Sequence, residues 1–561
     1  MVNQKKKDLL HLALVLFAVV LVQVFAQFFF TRIDFTKEKR FTLSTTTEEI
    51  LRNLKEPVKV TVYLEGDFPA GFKRLRSATK DLLGDYKAYA GSNLQFEFID
   101  PAADKNQQEQ QVFFEELYNK GIEPTNLSVK QEGGLTQKLI FPAAMVSFKD
   151  REIPVKLLQT RIGLNPEEVL NNSIQNLEYA FTSTIKKITA GGKPRVALTE
   201  GHGELTDLQL QDAMQALSEG YEVGRVDLKE ITWEGLKKIK LLIIPKPNEE
   251  FTELEKFKID QYLMQGGKVF WAIDQVHAEL DSMQQGNGEQ LAFPKKLNLD
   301  DQLFKYGIRI NYDLVGDMNC MQIPLNVGNI AGEGQIQMVP WLFYPIIMPF
   351  SSNPIVKNLE GIKTEFINTI DTIAVDGLRQ EVLLTTSPFS RKLNTPTLIS
   401  LNMVEQTPDP KTFQSEPKPV CVLVEGKFTS TFKNRMLPDG IPASAFIPES
   451  KFTKMVVFSD GDVLRNQISA TDGSVFPLGY DRYTQQTFGN KTFLLNLADY
   501  LTNDAELIKL RSKEIKLRLL DKAKIVEEKL TWQLINMLFP IVLIVVFGIF
   551  QHIYRKRRYT A

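Results

Sequence analysis

The chain has 561 residues, 24% of them charged, and a formal net charge of −1. That balance excludes a strongly basic nucleic-acid binder and a strongly acidic solvating protein. The length suits about three soluble domains of roughly 150 residues each, and two cysteines cannot staple a disulfide scaffold.

Residues 1–8 form a basic tail with Lys5-Lys6-Lys7. Leu9 to Phe30 follows, 22 residues without a formal charge. At about 1.5 Å per helical residue it spans roughly 30 Å, the thickness of a bilayer core. Val24-Phe25-Ala26 offers a cleavage-like site, but the apolar run continues through Phe28-Phe29-Phe30, so an uncleaved transmembrane helix is expected. Gln23 and Gln27 sit at membrane depth and suit contacts with a partner helix.

Residues 35–160 read as a first domain. Phe41 to Ile50 carries a Ser/Thr cluster followed by glutamates, an N-cap pattern. Strand signals lie at Val58–Leu64, Leu94–Ile99, Asn126–Lys130 and Ala144–Phe148, and helix signals at Phe72–Tyr89 and Val112–Tyr118. This βαβαββ order resembles a thioredoxin-like domain. It lacks Cys-x-x-Cys, which excludes thiol redox chemistry and leaves a binding or structural module. Residues 161–192 read as a connecting helix opened by Pro166, ending at Gly191-Gly192.

Residues 193–502 alternate strands and helices, which predicts a larger α/β domain on a parallel sheet. Strands are expected at Arg195–Thr199, Tyr221–Asp227, Leu241–Pro245, Lys268–Ile273, Val420–Glu425 and Met455–Phe458. Helices are expected at Leu208–Ser218, Glu253–Gln265 and Asn490–Leu501, and loops at Asp281–Leu303 and Asn326–Gln337. Residues 503–533 read as a charged stalk helix. Leu534 to Ile553 is a second uncharged stretch, 20 residues long, before a basic tail at 554–561. Asn536 is polar at membrane depth, and Pro540 should kink this helix and require a partner for the freed carbonyl. Both basic ends favour the cytoplasm, which puts the bulk of the chain in the periplasm of an inner membrane. An oxidising compartment permits a Cys320–Cys421 bridge, with two free thiols as the alternative.

Candidate chemistry lies at strand ends, where open α/β sheets place ligands. Gly201-His202-Gly203-Glu204 follows a strand and precedes a helix. His202 is a candidate proton shuttle or metal ligand and Glu204 an acceptor; the alternative is a tight structural turn. Asp460 and Asp462 follow another strand as Ser459-Asp460-Gly461-Asp462, suggesting a divalent cation site or a plain Asp-Gly turn. Asp274 ends a third strand, so Asp274, His202 and Asp460 are expected to share one rim. Zinc would need His202 and His277 plus carboxylates, without any His-Glu-x-x-His. Gly426-Lys427 fails as a phosphate loop, because Cys421 stands where its first glycine belongs. No metal or cofactor is expected.

Taken together, Phe41-Thr42-Leu43-Ser44, Thr199 to Glu204, Ser459 to Asp462, Asn490 to Leu501 and Leu510 to Leu520 resemble the GldG family, over essentially the whole chain. That family comprises auxiliary extracytoplasmic components of ABC transport systems. The resemblance implies a role in the gliding motility of Bacteroidetes-type bacteria. It also implies a polytopic permease partner (GldF-like) and, through it, a cytoplasmic ATPase (GldA-like). The domain with the Gly-His-Gly-Glu turn also resembles a non-catalytic domain of intraflagellar transport proteins. No catalytic residue carries over. A lipid bilayer and a possible homo-oligomer complete the expected partners, without nucleic acid. Two alternatives stand beside this reading. One is a membrane-tethered carbohydrate-active hydrolase using Glu204, Asp274 and Asp460; the other is a glycan- or polypeptide-binding scaffold independent of an ATPase.

Overall fold

The computed structural model describes residues 10, 13–19, 21, 42–103, 106–122, 124–131, 134–158, 166–330, 333–357, 359–405, 408–439, 441–442, 444, 446–469, 471–502 and 522–559. Lys5-Lys6-Lys7, Gln23, Gln27, most of the Leu9–Phe30 segment and the stalk between 503 and 521 lie outside the described residues. Residues 10, 13–19 and 21 are helical. The described residues form a mixed α/β structure with several sheets and one C-terminal apolar helix.

The Ser/Thr signal near residue 44 becomes a cap. Ser44 accepts the Thr47 N–H with its side chain and starts helix α1 (Thr45–Arg52). There follow β1 (Val58–Val62), α2 (Ala70–Ala90), β2 (Leu94–Phe98), α3 (Gln107–Asn119), β3 (Thr125–Gln131), β4 (Gly134–Ile140), β5 (Ala143–Phe148), β6 (Arg151–Lys156) and α4 (Pro166–Thr189). One sheet runs in the order β2-β1-β5-β6, with β1 parallel to β2 and the other pairs antiparallel. Strands β3 and β4 pair as a separate hairpin. The expected order lacked β4 and β6. Strand β6 is an edge strand carrying Pro154, where hydrophobic alternation is weak. Helix α4 is more than a connector: it buries Leu177, Phe181, Ile185 and Ile188 beside Leu75, Leu83 and Tyr86 in this domain's core.

The second body contains β7 (Arg195–Glu200), α5 (Asp207–Ser218), β8 (Glu222–Asp227), α6 (Trp233–Lys237), β9 (Ile239–Pro245), α7 (Glu253–Met264), β10 (Lys268–Ala272), β11 (Leu378–Thr385), β12 (Pro419–Thr429), β13 (Glu449–Phe458) and α8 (Asn490–Thr502). Its seven-stranded sheet has the order β11-β12-β13-β10-β9-β7-β8. Strands β8, β7, β9, β10 and β13 are mutually parallel. Strands β12 and β11 run antiparallel at one edge, which corrects the expectation of a wholly parallel sheet. The β12 run Val420–Val424 is buried on both faces and reads as parallel; burial does not encode strand direction. Alternation sorts the core into two layers. Phe270 joins Leu198, Ile243 and Val456 on one face, while Trp271 joins Ile244 and Val457 on the other.

Two expected loops are structured. The 281–303 stretch holds strand Glu289–Pro294 and helix Asp300–Lys305, and the short helix Leu280–Gln285 overlaps its start. The 326–337 stretch belongs to a hairpin of Cys320–Ile330 with Glu333–Ile347, whose glycines outweighed its alternation as a signal. Cys320 and Cys421 are free thiols.

Helix α9 (Lys522–Tyr559) belongs to a separate unit. Its 30-residue segment Glu528–Arg557 is long and apolar enough to cross a membrane, and its apolar window is unburied. Asn536 is exposed on it and Pro540 lies inside it.

Trp271→Ala should cost about 3–5 kcal/mol of stability. A fall in the urea midpoint at unchanged slope would show it.

Candidate functional site

Two groups of buried polar side chains line the carboxyl ends of the parallel strands. The first is the turn after β7. Gly201 and Gly203 have φ of +102° and +68°, and a Cβ at Gly203 would meet the Asn248 Cβ at 3.3 Å. Only glycine suits both conformation and space there. His202 is therefore carried inward, 1% exposed. Its Nε2 lies 3.1 Å from Glu255 Oε2 and its Nδ1 3.6 Å from Glu204 Oε1. Its ring stacks on Phe251 at 3.9 Å between centroids. Its backbone N–H donates to Glu204 at 2.6 Å, and its carbonyl accepts the N–H groups of Asn248 and Glu249.

Glu255 has a second task. It closes a capping box with Thr252 at the start of α7, accepting the Thr252 N–H at 2.8 Å. His202 thus staples the β7 turn to α7. Burial alone would lower the His202 pKa, but the Glu204 and Glu255 carboxylates beside its ring outweigh it and the net shift is upward. Burial opposes ionisation of both glutamates. His202, with backbone N–H and hydroxyl donors, outweighs burial and holds them below the usual carboxylate value.

The second group unites the ends of β9, β10 and β13. Lys246, at φ +55°, places Nζ 2.6 Å from Asp462, 2.7 Å from Glu279 and 3.4 Å from Asp274. Asp274 accepts the Gly461 N–H at 2.5 Å. Asp460 accepts the N–H groups of Asp462 at 2.7 Å and Glu365 at 2.9 Å. Arg465 Nε lies 2.8 Å from Asp462, and its guanidinium also pairs with Glu365. Lys363 lies 3.1 Å from Glu365, and Lys295 3.6 Å from Asp274. A Cβ at Gly461 would fall 2.4 Å from the Lys246 Cβ, so this glycine permits the close approach of the two strand ends.

Oxygens of Asp274, Asp460 and Asp462 lie within 4.8 Å of one another. The Lys246 ammonium already serves two of them, so a metal is not needed to hold the three together. Burial, with Asp462 and Asp274 nearby, pushes the Asp460 carboxyl well up. Burial also raises Asp462, to about 6, against the pull of Arg465 and Lys246. In this group the carboxyl groups of Asp274, Glu279, Glu365, Asp460 and Asp462 face the cations Lys246, Lys295, Lys363 and Arg465.

The two groups are joined. Lys295 donates to Asn248 Oδ1 at 2.7 Å, and Asn248 donates to the Gly203 carbonyl at 2.6 Å. Asp274, Asp460 and Asp462 thus lie together, while His202 and Glu204 form a linked neighbouring group. Asn536 and Pro540 are remote in sequence, on α9. Sequence reading missed Lys246, Lys295, Arg465, Glu279, Glu365 and Glu255. Thr252-x-x-Glu255 was visible as a capping box, which places Glu255 but says nothing of His202.

A family model described as an ABC-type uncharacterized transport system matches residues 193–497, more than half of the chain and the whole rim just described. The chain belongs to that family. As a member of the ABC-type transport system family it is a transport-associated component. A second model, for a domain of unknown function, matches residues 37–147. An uncharacterized protein of Borreliella burgdorferi is 23% identical over 577 residues, covering 99% of each chain. Among solved structures, mmIFT52 N-terminal domain is 14% identical with a TM-score of 0.32, covering 55% of this chain and 98% of that one. Exo-beta-1,4-mannosidase Op5Man5 from Opitutaceae bacterium strain TAV5 is 12% identical with a TM-score of 0.21, covering 83% and 56%. Neither score informs the fold or the chemistry.

The His202 staple has a defined pH window. Its raised pKa means the stabilisation is full below its ordinary value of 6.5 and is lost as pH rises through the folded value. The lowered glutamates contribute above their ordinary 4.5, and that contribution is lost as pH falls through their folded values. His202→Gln should flatten the alkaline limb of a stability–pH profile followed by urea unfolding. Gly461→Ala should cost about 1–3 kcal/mol, because strand ends must move apart to admit the methyl group. Its melting temperature, read beside that of Gly473→Ala, would reveal this; Gly473 has nothing within 4 Å of its Cβ position, so the control carries only the cost of positive φ.

Proposed function

We propose that the protein is a non-enzymatic, membrane-anchored subunit of an ABC-transporter-type complex. The observation that carries this reading is the family match across residues 193–497. An unburied apolar helix at the C-terminal end supports membrane attachment. The burial of the candidate carboxylates supports a non-catalytic role. The side chain of Glu204 is 0% exposed and faces His202, Asp460 is 0% exposed and accepts two backbone N–H groups, and Asp274 is 4% exposed. A glycosidase needs two carboxyl groups open to substrate and water.

The finer reading rests on the resemblance to GldG. In it, both Leu9–Phe30 and Leu534–Ile553 cross the inner membrane, both termini are cytoplasmic and the domains are periplasmic. A GldF-like permease holds the helices, a GldA-like ATPase supplies energy, and the complex acts in gliding motility. The strand order β2-β1-β5-β6, with only its β1–β2 pair parallel, supports reading the first domain as thioredoxin-like. Asn536 and Pro540, exposed along α9, suit contacts with permease helices.

Mild-detergent purification of the tagged chain from membranes should recover a polytopic permease and a nucleotide-binding subunit. Asn536→Leu combined with Pro540→Ala should lower their recovery several-fold without changing the melting of the soluble body. Recovery of the chain alone, under conditions that keep other ABC complexes whole, would remove the reading.

A further inference from the structure

The N-terminal domain and the α/β body keep separate apolar cores. Helix α4 buries Phe181, Ile185 and Ile188 in the first, and α8 buries Phe493, Leu494 and Leu497 in the second. Hydrogen bonds from α4 to α8 converge on one carboxylate. Asp499, on α8, receives Lys187 Nζ at 2.8 Å on Oδ1 and 3.0 Å on Oδ2. It also accepts the Tyr179 hydroxyl at 3.3 Å. Both donors come from α4. From its own body, Tyr221, at the entrance to β8, donates to Asp499 at 2.5 Å, and that hydroxyl lies 3.0 Å from Thr502 Oγ1. The Lys187 ammonium sits 5.8 Å from the Tyr221 ring centroid.

The covalent connection is equally loose. Residues 190–194 join α4 to β7, with Gly191 and Gly192 exposed and nothing within 4 Å of either Cβ position. Domains that share no apolar core and meet through polar contacts are free to move relative to one another. A glycine pair at the joint absorbs the backbone change of a hinge.

We propose that the N-terminal domain turns on residues 190–194 relative to the α/β body, and that Asp499 is the latch holding the closed arrangement. Lys187 and Tyr179 are the parts of the latch that travel with the N-terminal domain; Tyr221 and Thr502 orient the carboxylate from the body. The latch is a property of this chain and holds whether or not an ABC-type partner supplies the force that opens it. Asp499 stands on the last described helix before α9.

The test is a distance distribution. In a Cys320→Ser, Cys421→Val background, spin labels at Asp81→Cys on α2 and Glu219→Cys beyond α5 are read by pulsed electron resonance on the full chain in detergent. The parent should show one narrow distribution. Asp499→Ala and Lys187→Glu should each broaden or shift it, with far-ultraviolet dichroism unchanged. The exchanged pair, Lys187→Asp with Asp499→Lys, should narrow it again, which loss of local packing alone would not produce. If Asp499→Ala fails to fold, Lys187→Met decides, because it leaves the Tyr221–Asp499 contact in place. A distribution unchanged in folded Lys187→Met or Asp499→Ala overturns the latch.

Discussion

Lys246 is the point on which the α/β body depends. A parallel sheet brings the carboxyl ends of its strands to one edge, and with them the side chains that follow each strand. Here those side chains are acidic: Asp274 after β10, Asp460 and Asp462 after β13. Buried together without a cation they would repel one another. Lys246, from the end of β9, lies between them in a left-handed backbone conformation and draws the strand ends into contact. Arg465, Lys295 and Lys363 complete the shell, and Gly461 removes the methyl group that would hold Lys246 off. Breaking one partner of such a network is costlier than the pair's net worth, because the other charge stays buried.

The same edge is where a related sheet would receive a ligand. In this chain it is filled by the chain itself. His202 is pinned between two glutamates and a phenyl ring, and Asn248 and Lys295 continue the network into the Lys246 group. A hollow of about 420 Å³ lies on α3 beside Val112 and Phe113. The rim is thus cross-braced from β7 to β13.

Much of this was legible in the chain. The helix periods of α2, α5 and α7 and the apolar runs of β9, β10 and β13 stand out because each is a local pattern. The glycine-flanked His202 and the carboxylates at strand ends were legible for the same reason. What was not legible is non-local. Nothing near Lys246 signals that its partners are Asp462, Glu279 and Asp274, since the pairing exists only once β13 lies beside β10. The direction of β12 was hidden because burial on both faces gives one apolar run in either orientation. The hairpin from Cys320 was hidden by its glycines, and β6 by its place at an edge with Pro154. Helix α4 looked like a connector because its amphipathic face says that it packs, not against which domain.

The insertion of β13 next to β10 has a consequence for how the chain is made. Strand β10 ends at Ala272, yet its second neighbour, β13, begins only at Glu449. As the polypeptide emerges from the ribosome or across a membrane, β7, β8, β9 and β10 are complete long before that edge is paired. Throughout that interval β10 presents an open row of backbone groups, bordered by Phe270 and Trp271, to any other strand. Pairings so distant along the chain form slowly. Strand β13, the last of the seven to be made, closes the sheet between β10 and the earlier β12, and it brings Asp462 to Lys246.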